Sequence, residues 1–280
     1  MKITVFGGDE RAIAALFSFI NKGFDAEVIG IGYDVLDAHG ALKYSTNIIP
    51  QGGVILFPLP FSTDGEHVNC PFSEKEYSIS DVFRSLGHAR AFCGMASTFH
   101  KKLAREYSVD LVDYYECEEL QIMNALPTAE GAISIFMQKK KITVFGSRCT
   151  VAGGGRVGKC LADKLSKLGA DVTVAARRET DLAWCRMNKI YPLRIDELVS
   201  NPFSGDCLFN TVPCNIFDKS FAAVFPESAH YIELASKPHG ISPENAKLLG
   251  DKYIEAPSLP GKYAPVTAGK IIADTVSKYI

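Results

Sequence analysis

A glycine triplet in the middle of the chain places the strongest constraint on what it can fold into. Gly153, Gly155 and Gly158 have G-x-G-x-x-G spacing. A short β-forming run, Cys149 to Ala152, comes directly before the triplet, and apolar residues at helical spacing follow it. A second β-forming run, Ala170 to Ala176, comes next. This order predicts a strand, a tight turn, a helix and a second parallel strand, as in Rossmann folds that bind dinucleotides.

Each glycine has its own role in such a unit. Gly153 permits the tight turn, Gly155 lets backbone N–H groups approach a pyrophosphate, and Gly158 lets the helix lie against its strand. The helix N-terminus adds unpaired donors and partial positive charge. Arg156 and Val157 complete the predicted pyrophosphate loop, with Arg156 placed at the pyrophosphate. The alternative is a structural glycine turn in an α/β unit that binds nothing.

Two arginines follow the second strand, where the residue that reads the coenzyme ribose is expected. Arg177 stands 19 residues after Gly158. An acidic residue there would accept hydrogen bonds from a 2′-hydroxyl, whereas each charge-assisted bond from arginine to a 2′-phosphate contributes about 1.5 to 3 kcal/mol. The sequence therefore predicts NADP(H) in preference to NAD(H), with Arg177 rather than Arg178 as the main contact. The alternatives are a solvated arginine pair and NAD(H) as the coenzyme.

The composition excludes several classes of protein. A chain of 280 residues is long enough for two domains with separate cores. Its 30 basic and 32 acidic residues nearly balance, and no apolar run reaches the ~18 residues of a membrane span, so we expect neither nucleic acid nor membrane as a partner. The eight cysteines have no zinc-like spacing, which predicts reduced, structural thiols and no metal. We expect a cytoplasmic protein.

The hexamer Lys-Ile-Thr-Val-Phe-Gly occurs at residues 2–7 and again at residues 141–146. The first copy predicts a strand, Lys2 to Phe6, before a Gly-Gly turn that lacks the three-glycine spacing. We interpret Ile142 to Phe145 in the second copy as a short edge segment, because the glycine triplet needs its own strand immediately ahead. The alternative is that this segment is the first strand of the second half.

The rest of the chain continues the alternation of strands and helices. A helix is predicted from Pro127, which suits the first helical position, to about Gln138. Pro257 to Pro265 is predicted to be a loop, and Val266 to Tyr279 a last helix that packs on the N-terminal domain. Further strands are predicted at Ala26 to Ile31, Gly53 to Phe57, Arg90 to Cys93, Leu111 to Tyr114, Cys207 to Asn210, His230 to Leu234 and Tyr253 to Glu255.

These elements predict an α/β fold of two Rossmann-like, doubly wound parallel-sheet domains with a cofactor cleft between them. We assign residues 1–126 to a substrate and catalytic domain. Residues 127–280 form the predicted NADP-binding domain, with helices 127–138 and 266–280 between the domains.

Loops after two later strands are expected at the same sheet edge as the glycine turn, because the carboxyl ends of parallel strands meet there. The loop from Asn210 to Pro213 is predicted to line the nicotinamide ribose, and the alternative is that it is a simple strand-end turn. The predicted coenzyme contacts on these loops are Asn210, Thr211, Val212, Pro213 and Ala235.

Taken together, these motifs resemble the A-subunit family of bacterial dipicolinate synthase. The residues that carry the resemblance are Gly7-Gly8-Asp9 with Arg11, Asn124 with Pro127 to Gly131, the glycine triplet with Arg156, Asn210-Thr211-x-Pro213, Leu234-Ala235-Ser236-x-Pro238, and Leu259-Pro260-Gly261 with Ala264-Pro265 and Thr267-Ala268-Gly269. The family pattern has Gly-Gly after A-S-x-P, where this chain has His239-Gly240.

The resemblance implies a two-domain fold like that of alanine and 2-hydroxyacid dehydrogenases. It also implies a partner, the flavoprotein-like B subunit. The implied substrate is 4-hydroxy-tetrahydrodipicolinate or dihydrodipicolinate, which is converted to pyridine-2,6-dicarboxylate during sporulation.

Candidate groups for the substrate are few. Arg11 is the first candidate for binding a carboxylate, with Ser62 and Thr63 as further donors; a surface salt bridge is the alternative role of Arg11. Glu130 is a candidate for acid–base chemistry, and Lys237 is a candidate for acid–base chemistry or carboxylate binding; the alternatives are a helix-end charge for Glu130 and an exposed lysine for Lys237. None of the six histidines lies in a recognisable His–Asp or metal pattern.

Three functions are open at this point. The first is an NADP-dependent oxidoreductase subunit. The second is a dehydratase or substrate-binding subunit with a structural nucleotide, the redox step being done by the flavin partner. The third is a stand-alone amino-acid or hydroxyacid dehydrogenase, and a homo-oligomer is compatible with each.

Overall fold

Two parallel β-sheets organise the chain in the computed structural model, which describes residues 2–280. The first sheet has the strand order β2-β1-β3-β4-β5. Its strands are β1 (Lys2–Phe6), β2 (Asp25–Ile29), β3 (Val54–Leu56), β4 (Arg90–Cys93) and β5 (Asp110–Asp113). The helices around it are α1 (Glu10–Asn21), α2 (Tyr33–Ala38), α3 (Ile79–Leu86) and α4 (Thr98–Glu106).

The second sheet has the strand order β11-β10-β9-β6-β7-β8. Its strands are β6 (Arg148–Ala152), β7 (Asp171–Ala176), β8 (Tyr191–Arg194), β9 (Cys207–Asn210), β10 (His230–Glu233) and β11 (Tyr253–Glu255). The remaining helices are α5 (Glu118–Lys140), α6 (Arg156–Lys167), α7 (Glu179–Met187), α8 (Ile195–Ser200), α9 (Lys219–Ala223), α10 (Pro243–Leu249), α11 (Leu259–Tyr263) and α12 (Pro265–Val276).

Both sheets are buried on both faces. Successive residues of a strand point to opposite sides of a sheet, and in both sheets such neighbours lie in different apolar clusters. In β1, Val5 packs in one apolar cluster and Phe6 in another. In β6, Val151 and Ala152 divide in the same way. Each sheet is therefore a doubly wound layer, and the predicted class of two parallel-sheet α/β domains is confirmed.

Packing divides the chain into two compact units, residues 1–124 with 264–280, and residues 125–263. In the first unit α12 lies so close to α1 that a Cβ on Gly269 would be 2.6 Å from the Cβ of Ala14. By packing, α12 therefore belongs with the first unit, as expected for the last helix, whereas the sequence pattern assigned residues 266–280 to the second domain.

Two local predictions were wrong. The helix expected to begin at Pro127 begins at Glu118, with the proline inside it. A proline inside a helix removes one backbone hydrogen bond and destabilises the helix by about 3 kcal/mol. Burial of Ala132 and Phe136 further along the same helix offsets that cost. The predicted loop Pro257 to Pro265 contains α11. Residues 142–145 contain no strand and β6 begins at Arg148, so the interpretation that the glycine triplet has its own strand immediately ahead is confirmed.

Candidate functional site

The glycine turn lies where the strand order of the second sheet reverses. β6 pairs with β7 on one side and β9 on the other, so that Ala152 lies opposite both Ala175 and Asn210. Gly153 follows Ala152 with φ +109°, and its N–H donates to the Ala175 carbonyl at 2.8 Å. A Cβ on Gly153 would overlap the hydroxyl of Thr211. Only glycine fits this position, at the crevice where open α/β sheets bind ligands.

The other two glycines of the triplet meet different surroundings. A Cβ on Gly158 would overlap the carbonyl oxygen of Gly153, so this glycine allows α6 to approach the turn. By contrast, a Cβ on Gly155 would have no described atom within 4 Å. Gly155 is also the N-cap of α6 and has no side chain to bond the helix N–H groups. The end of α6 is thus open to an anion, which fits a pyrophosphate.

Gly154 has a role that the glycine spacing did not predict. A Cβ on Gly154 would be 2.6 Å from the Cβ of Asp181, in the first turn of α7. The Asp181 carboxylate is buried and forms ion pairs with Lys159 and Arg178, each at 2.8 Å. Burial acts to raise the pKa of Asp181, but the bonds from these two cations outweigh it and lower that pKa. Asp181 is therefore ionised and locked in place.

A groove of about 280 Å³ opens beside the glycine turn. Arg177 and Arg178 both line it, but their surroundings differ. The Arg178 guanidinium donates to Asp181 through both Nε and Nη2. Arg177 is exposed and has no hydrogen bond or ion pair with any residue in 2–280. The lining comprises Gly153, Gly154, Gly155, Ala175, Ala176, Arg177, Arg178, Asp181, Ile195, Thr211, Val212, Pro213 and Ile216.

The loop after β9 lines this groove, but its polar side chains are bonded to the protein. The Asn210 amide is buried; it donates to the Val212 carbonyl at 3.0 Å and to Glu233 at 2.7 Å. The Thr211 hydroxyl donates to the Ala152 carbonyl at 2.8 Å. These two side chains hold the loop in shape, while Val212 and Pro213 form part of the groove wall.

Glu233, which no sequence motif singled out, organises the neighbouring loop. This carboxylate at the end of β10 is fully buried and accepts hydrogen bonds from the Asn210 amide, the Ala235 and Gly240 N–H groups and the Tyr231 hydroxyl. Burial raises its pKa in spite of these donors. An acidic residue at the carboxyl end of a strand was the available sequence signal.

The predicted residues Ala235 and Lys237 lie in the segment that follows β10. The N–H of Ala235 donates to the Glu233 carboxylate, and the Ala235 carbonyl lies 2.9 Å from Nδ1 of His239. His239 has a φ of +67° at the position where the family pattern has glycine. Lys237 is exposed and has no partner within residues 2–280. It lines a separate groove of about 490 Å³, together with Lys247 and Glu255.

Two other predicted residues are already paired. Glu130 lies on α5, where its largely exposed carboxylate forms an ion pair with Lys164 at 2.8 Å. Arg11 lies in the first unit, where Nε and Nη2 bind the Asp9 carboxylate and Nη2 also donates to the Leu59 carbonyl. Nη1 of Arg11 has no partner among the described residues. The structure thus groups the glycine turn with both groove arginines, and neither Glu130 nor Arg11 lines that groove.

A His–Asp pair is present that the sequence pattern did not reveal. In the loop after β3, Nδ1 of His67 lies 2.8 Å from the Asp64 carboxylate, which also accepts from the Ser62 hydroxyl. The hydrogen bond that His67 donates to the Asp64 carboxylate raises the pKa of His67. Backbone N–H groups of His67 and Glu66 lower the pKa of Asp64. Ser62, a predicted substrate donor, is therefore part of this turn.

The cysteines are unpaired thiols. Burial raises the pKa of Cys70 to about 12 and that of Cys149 to about 11, so both are unreactive near neutral pH. Nowhere in residues 2–280 do three His, Cys, Asp or Glu side chains gather as a metal site would require. Among the same residues, none of the helices has the length and apolar character needed to cross a membrane.

The sequence is similar to proteins of one enzyme system over its whole length. Residues 2–115 match the N-terminal domain family of the dipicolinate synthase A subunit. The chain is 32% identical to the dipicolinate synthase A subunit of Bacillus subtilis (strain 168), in an alignment that covers 100% of this chain and 96% of that protein. The crystal structure of the corresponding protein from Bacillus halodurans is 28% identical, covers 99% of this chain and 97% of its own, and has a TM-score of 0.88.

More distant structures share the fold alone. An L-alanine dehydrogenase superposes with a TM-score of 0.64 at 12% identity, covering 100% of this chain and 88% of its own. The dehydrogenase-like fold implied by the sequence resemblance is therefore confirmed.

Proposed function

The chain belongs to the A-subunit family of dipicolinate synthase, and we propose that within that enzyme it is the NADP-dependent oxidoreductase component. The proposed substrate is dihydrodipicolinate, formed from 4-hydroxy-tetrahydrodipicolinate by loss of water. The proposed product is pyridine-2,6-dicarboxylate, made in the cytoplasm during sporulation. The proposed partner is a flavoprotein-like B subunit.

The unpaired Arg177 beside an open helix N-terminus is the observation that carries the proposal. The groove fits the coenzyme because Gly155 leaves space over the first turn of α6, and Gly158 brings that helix against the turn. Arg177 lines the same groove and has no acidic partner within residues 2–280. A 2′-phosphate would supply the missing countercharge, which favours NADP(H) over NAD(H).

The chemistry asks little of the protein beyond binding and orientation. Oxidising dihydrodipicolinate removes a hydride and a proton from the ring, and the gain of aromaticity drives the step. The hydride acceptor would be supplied by bound NADP⁺. The glycine turn would hold the pyrophosphate and thereby limit where that acceptor lies. Such positioning lowers a barrier by about 7 to 11 kcal/mol in favourable cases.

The substrate carboxylates need cationic partners outside the groove. Lys237 is our first candidate, because its charge is unmatched among the described residues. Arg11 is the second, through Nη1, although Asp9 already balances its charge. Glu130 stays a candidate acid or base only if substrate displaces Lys164, with which it is paired at 2.8 Å.

The alternative is a dehydratase or binding subunit that holds a structural nucleotide and leaves oxidation to its partner. One observation favours it. The only carboxylate lining the groove, among the described residues, is Asp181, whose pKa is lowered by Arg178 and Lys159, so it is a poor proton acceptor.

A spectrophotometric assay distinguishes these functions. We expect absorbance at 340 nm to rise when the chain, with or without its partner, is mixed with NADP⁺ and enzymatically made precursor. The Arg177→Ala variant should lose this activity at low NADP⁺. Arg186→Ala, which removes an exposed arginine of α7 outside the groove, should retain it. No change at 340 nm in either mixture, while the precursor is still dehydrated, would establish the alternative.

A further inference from the structure

A buried carboxylate in the groove has no part in the function proposed above. Asp181 is one of the few buried charged residues in the described chain, and its side chain is only 5% exposed. It lies beneath Gly154 and between Lys159 of α6 and Arg178, the residue that precedes α7. A carboxylate in a site for an anionic ligand would oppose binding unless its charge were balanced. Here two cations balance it.

The contacts of Asp181 give the two adjacent arginines different freedom. Arg178 donates from Nε to Oδ2 at 2.8 Å and from Nη2 to Oδ1 at 3.2 Å, which fixes the plane of its guanidinium group. The side chain of Arg178 nevertheless remains 70% exposed at the groove. Arg177 has no such restraint. The guanidinium group of Arg178 is thus a rigid exposed plane, and that of Arg177 is a cation without a bound partner in residues 2–280.

The rest of the groove suits a flat apolar ring. Ile195, Val212 and Ile216 line it along with the Arg178 plane. Its volume of about 280 Å³ is below the ~300 to 1,000 Å³ of pockets that enclose whole ligands. It therefore fits one end of a dinucleotide, and guanidinium planes stack on aromatic faces.

We propose that Asp181 is a positioning residue that holds Arg178 as a stacking platform for the adenine ring and leaves Arg177 to bind the 2′-phosphate. This inference rests on the proposed function, because it requires the adenosine end of the coenzyme in this groove. It assigns affinity for both coenzymes to Arg178 and discrimination between them to Arg177. Lys159 completes the arrangement by pairing with the second side of the Asp181 carboxylate at 2.8 Å.

Fragments of the coenzyme separate the two arginines. We would titrate 5′-AMP and adenosine 2′,5′-bisphosphate into the full-length chain by calorimetry. Arg178→Ala should weaken both fragments about three- to thirtyfold, and Arg178→Lys should do the same because lysine has no plane. Arg177→Ala should weaken the bisphosphate alone, about ten- to hundredfold. Arg186→Ala should change neither.

The sign of the Asp181→Asn effect tests the positioning role. Removing a negative charge beside an anionic ligand would by itself strengthen binding, and more so for the bisphosphate. If Asp181 acts by fixing Arg178, Asp181→Asn weakens both fragments about two- to tenfold. In the Arg178→Ala background only the charge effect remains, so Asp181→Asn should no longer weaken either fragment. Thermal unfolding of each variant accompanies the titrations, and the Arg178 variants carry the test if Asp181→Asn fails to fold.

The outcomes distinguish the inference from the proposed function. Unchanged 5′-AMP affinity in Arg178→Ala, wild-type affinity in Arg178→Lys, or tighter binding in Asp181→Asn would overturn the platform while leaving NADP(H) binding intact. If the native chain binds neither coenzyme nor either fragment, both fail.

Discussion

At the scale of single residues, buried polar groups rather than exposed ones determine the shape of the candidate site. Glu233 is the clearest case, because it joins the loop after β9, through Asn210, to the loop after β10, through Ala235 and Gly240. Each of these donors would lose its acceptor if the carboxylate were replaced. An unsatisfied buried donor costs about 1 to 3 kcal/mol.

We predict that Glu233→Gln lowers the free energy of unfolding by about 1 to 3 kcal/mol, because the new amide N–H₂ would face donors. Chemical denaturation measures the change. Glu255→Gln is the matched control, since Glu255 ends the neighbouring strand β11 with a half-exposed side chain. Equal stability of the two variants would contradict the role assigned to Glu233.

The pH dependence of that difference has a definite sign. The folded state raises the pKa of Glu233 above its ordinary value, so the folded protein holds this proton more tightly than the unfolded chain does. The stability from this group is complete below the unfolded pKa and is lost as pH rises through the folded pKa. The difference in free energy of unfolding between the native protein and Glu233→Gln should therefore decrease as pH rises. A gap that widens instead would mean that the folded pKa is lowered.

At the scale of elements, the turn between β6 and α6 combines a structural glycine with a functional one. Gly158 contacts the Gly153 carbonyl, whereas Gly155 has open space and a φ of −80° that any residue adopts. The same chemical change at these two positions should therefore have different results.

We predict that Gly155→Ala keeps native stability and loses affinity for NADP⁺, because its methyl group would fill space needed by the pyrophosphate. Gly158→Ala should lower the unfolding temperature, since its methyl group would overlap backbone. Differential scanning calorimetry and NADP⁺ titration of both variants measure this. Unaltered NADP⁺ affinity in a folded Gly155→Ala protein would contradict binding of the pyrophosphate at the N-terminus of α6.

The elements also show what sequence reasoning can reach. The β6 strand, the glycine turn and α6 were predicted because their pattern is local and glycine is sterically required. The edge strand β8 was missed because its four residues include Pro192, which sequence rules exclude from inner strands. α5 was placed too late because proline is typical of a first turn, whereas the packing that offsets an interior Pro127 is not visible in the sequence.

The site was predictable only in part, for the same reason. Arg177 was selected by its distance from the triplet, and it lines the groove. The role of Asp181 depends on how α7 packs on Gly154, and that of Glu233 on two loops brought together by strand pairing. Such long-range contacts leave no periodic trace in a sequence.

At the scale of the whole molecule, each unit of the chain completes a doubly wound sheet with elements distant in sequence. In the first unit α12 supplies Ile272 and Val276 to the core that β1 begins. In the second unit, α11 supplies Leu259 to the cluster that contains β6. The glycine turn is therefore held by a fully packed sheet, and the groove lies beside it.

The central claim is that this groove binds NADP(H) through Arg177, and isothermal titration of the native chain with NADP⁺ and NAD⁺ tests it most directly. We predict saturable binding of both, about ten- to hundredfold tighter for NADP⁺, with the preference abolished in Arg177→Ala. Equal affinity for the two coenzymes in the native chain, or no heat of binding from either one, would contradict the claim.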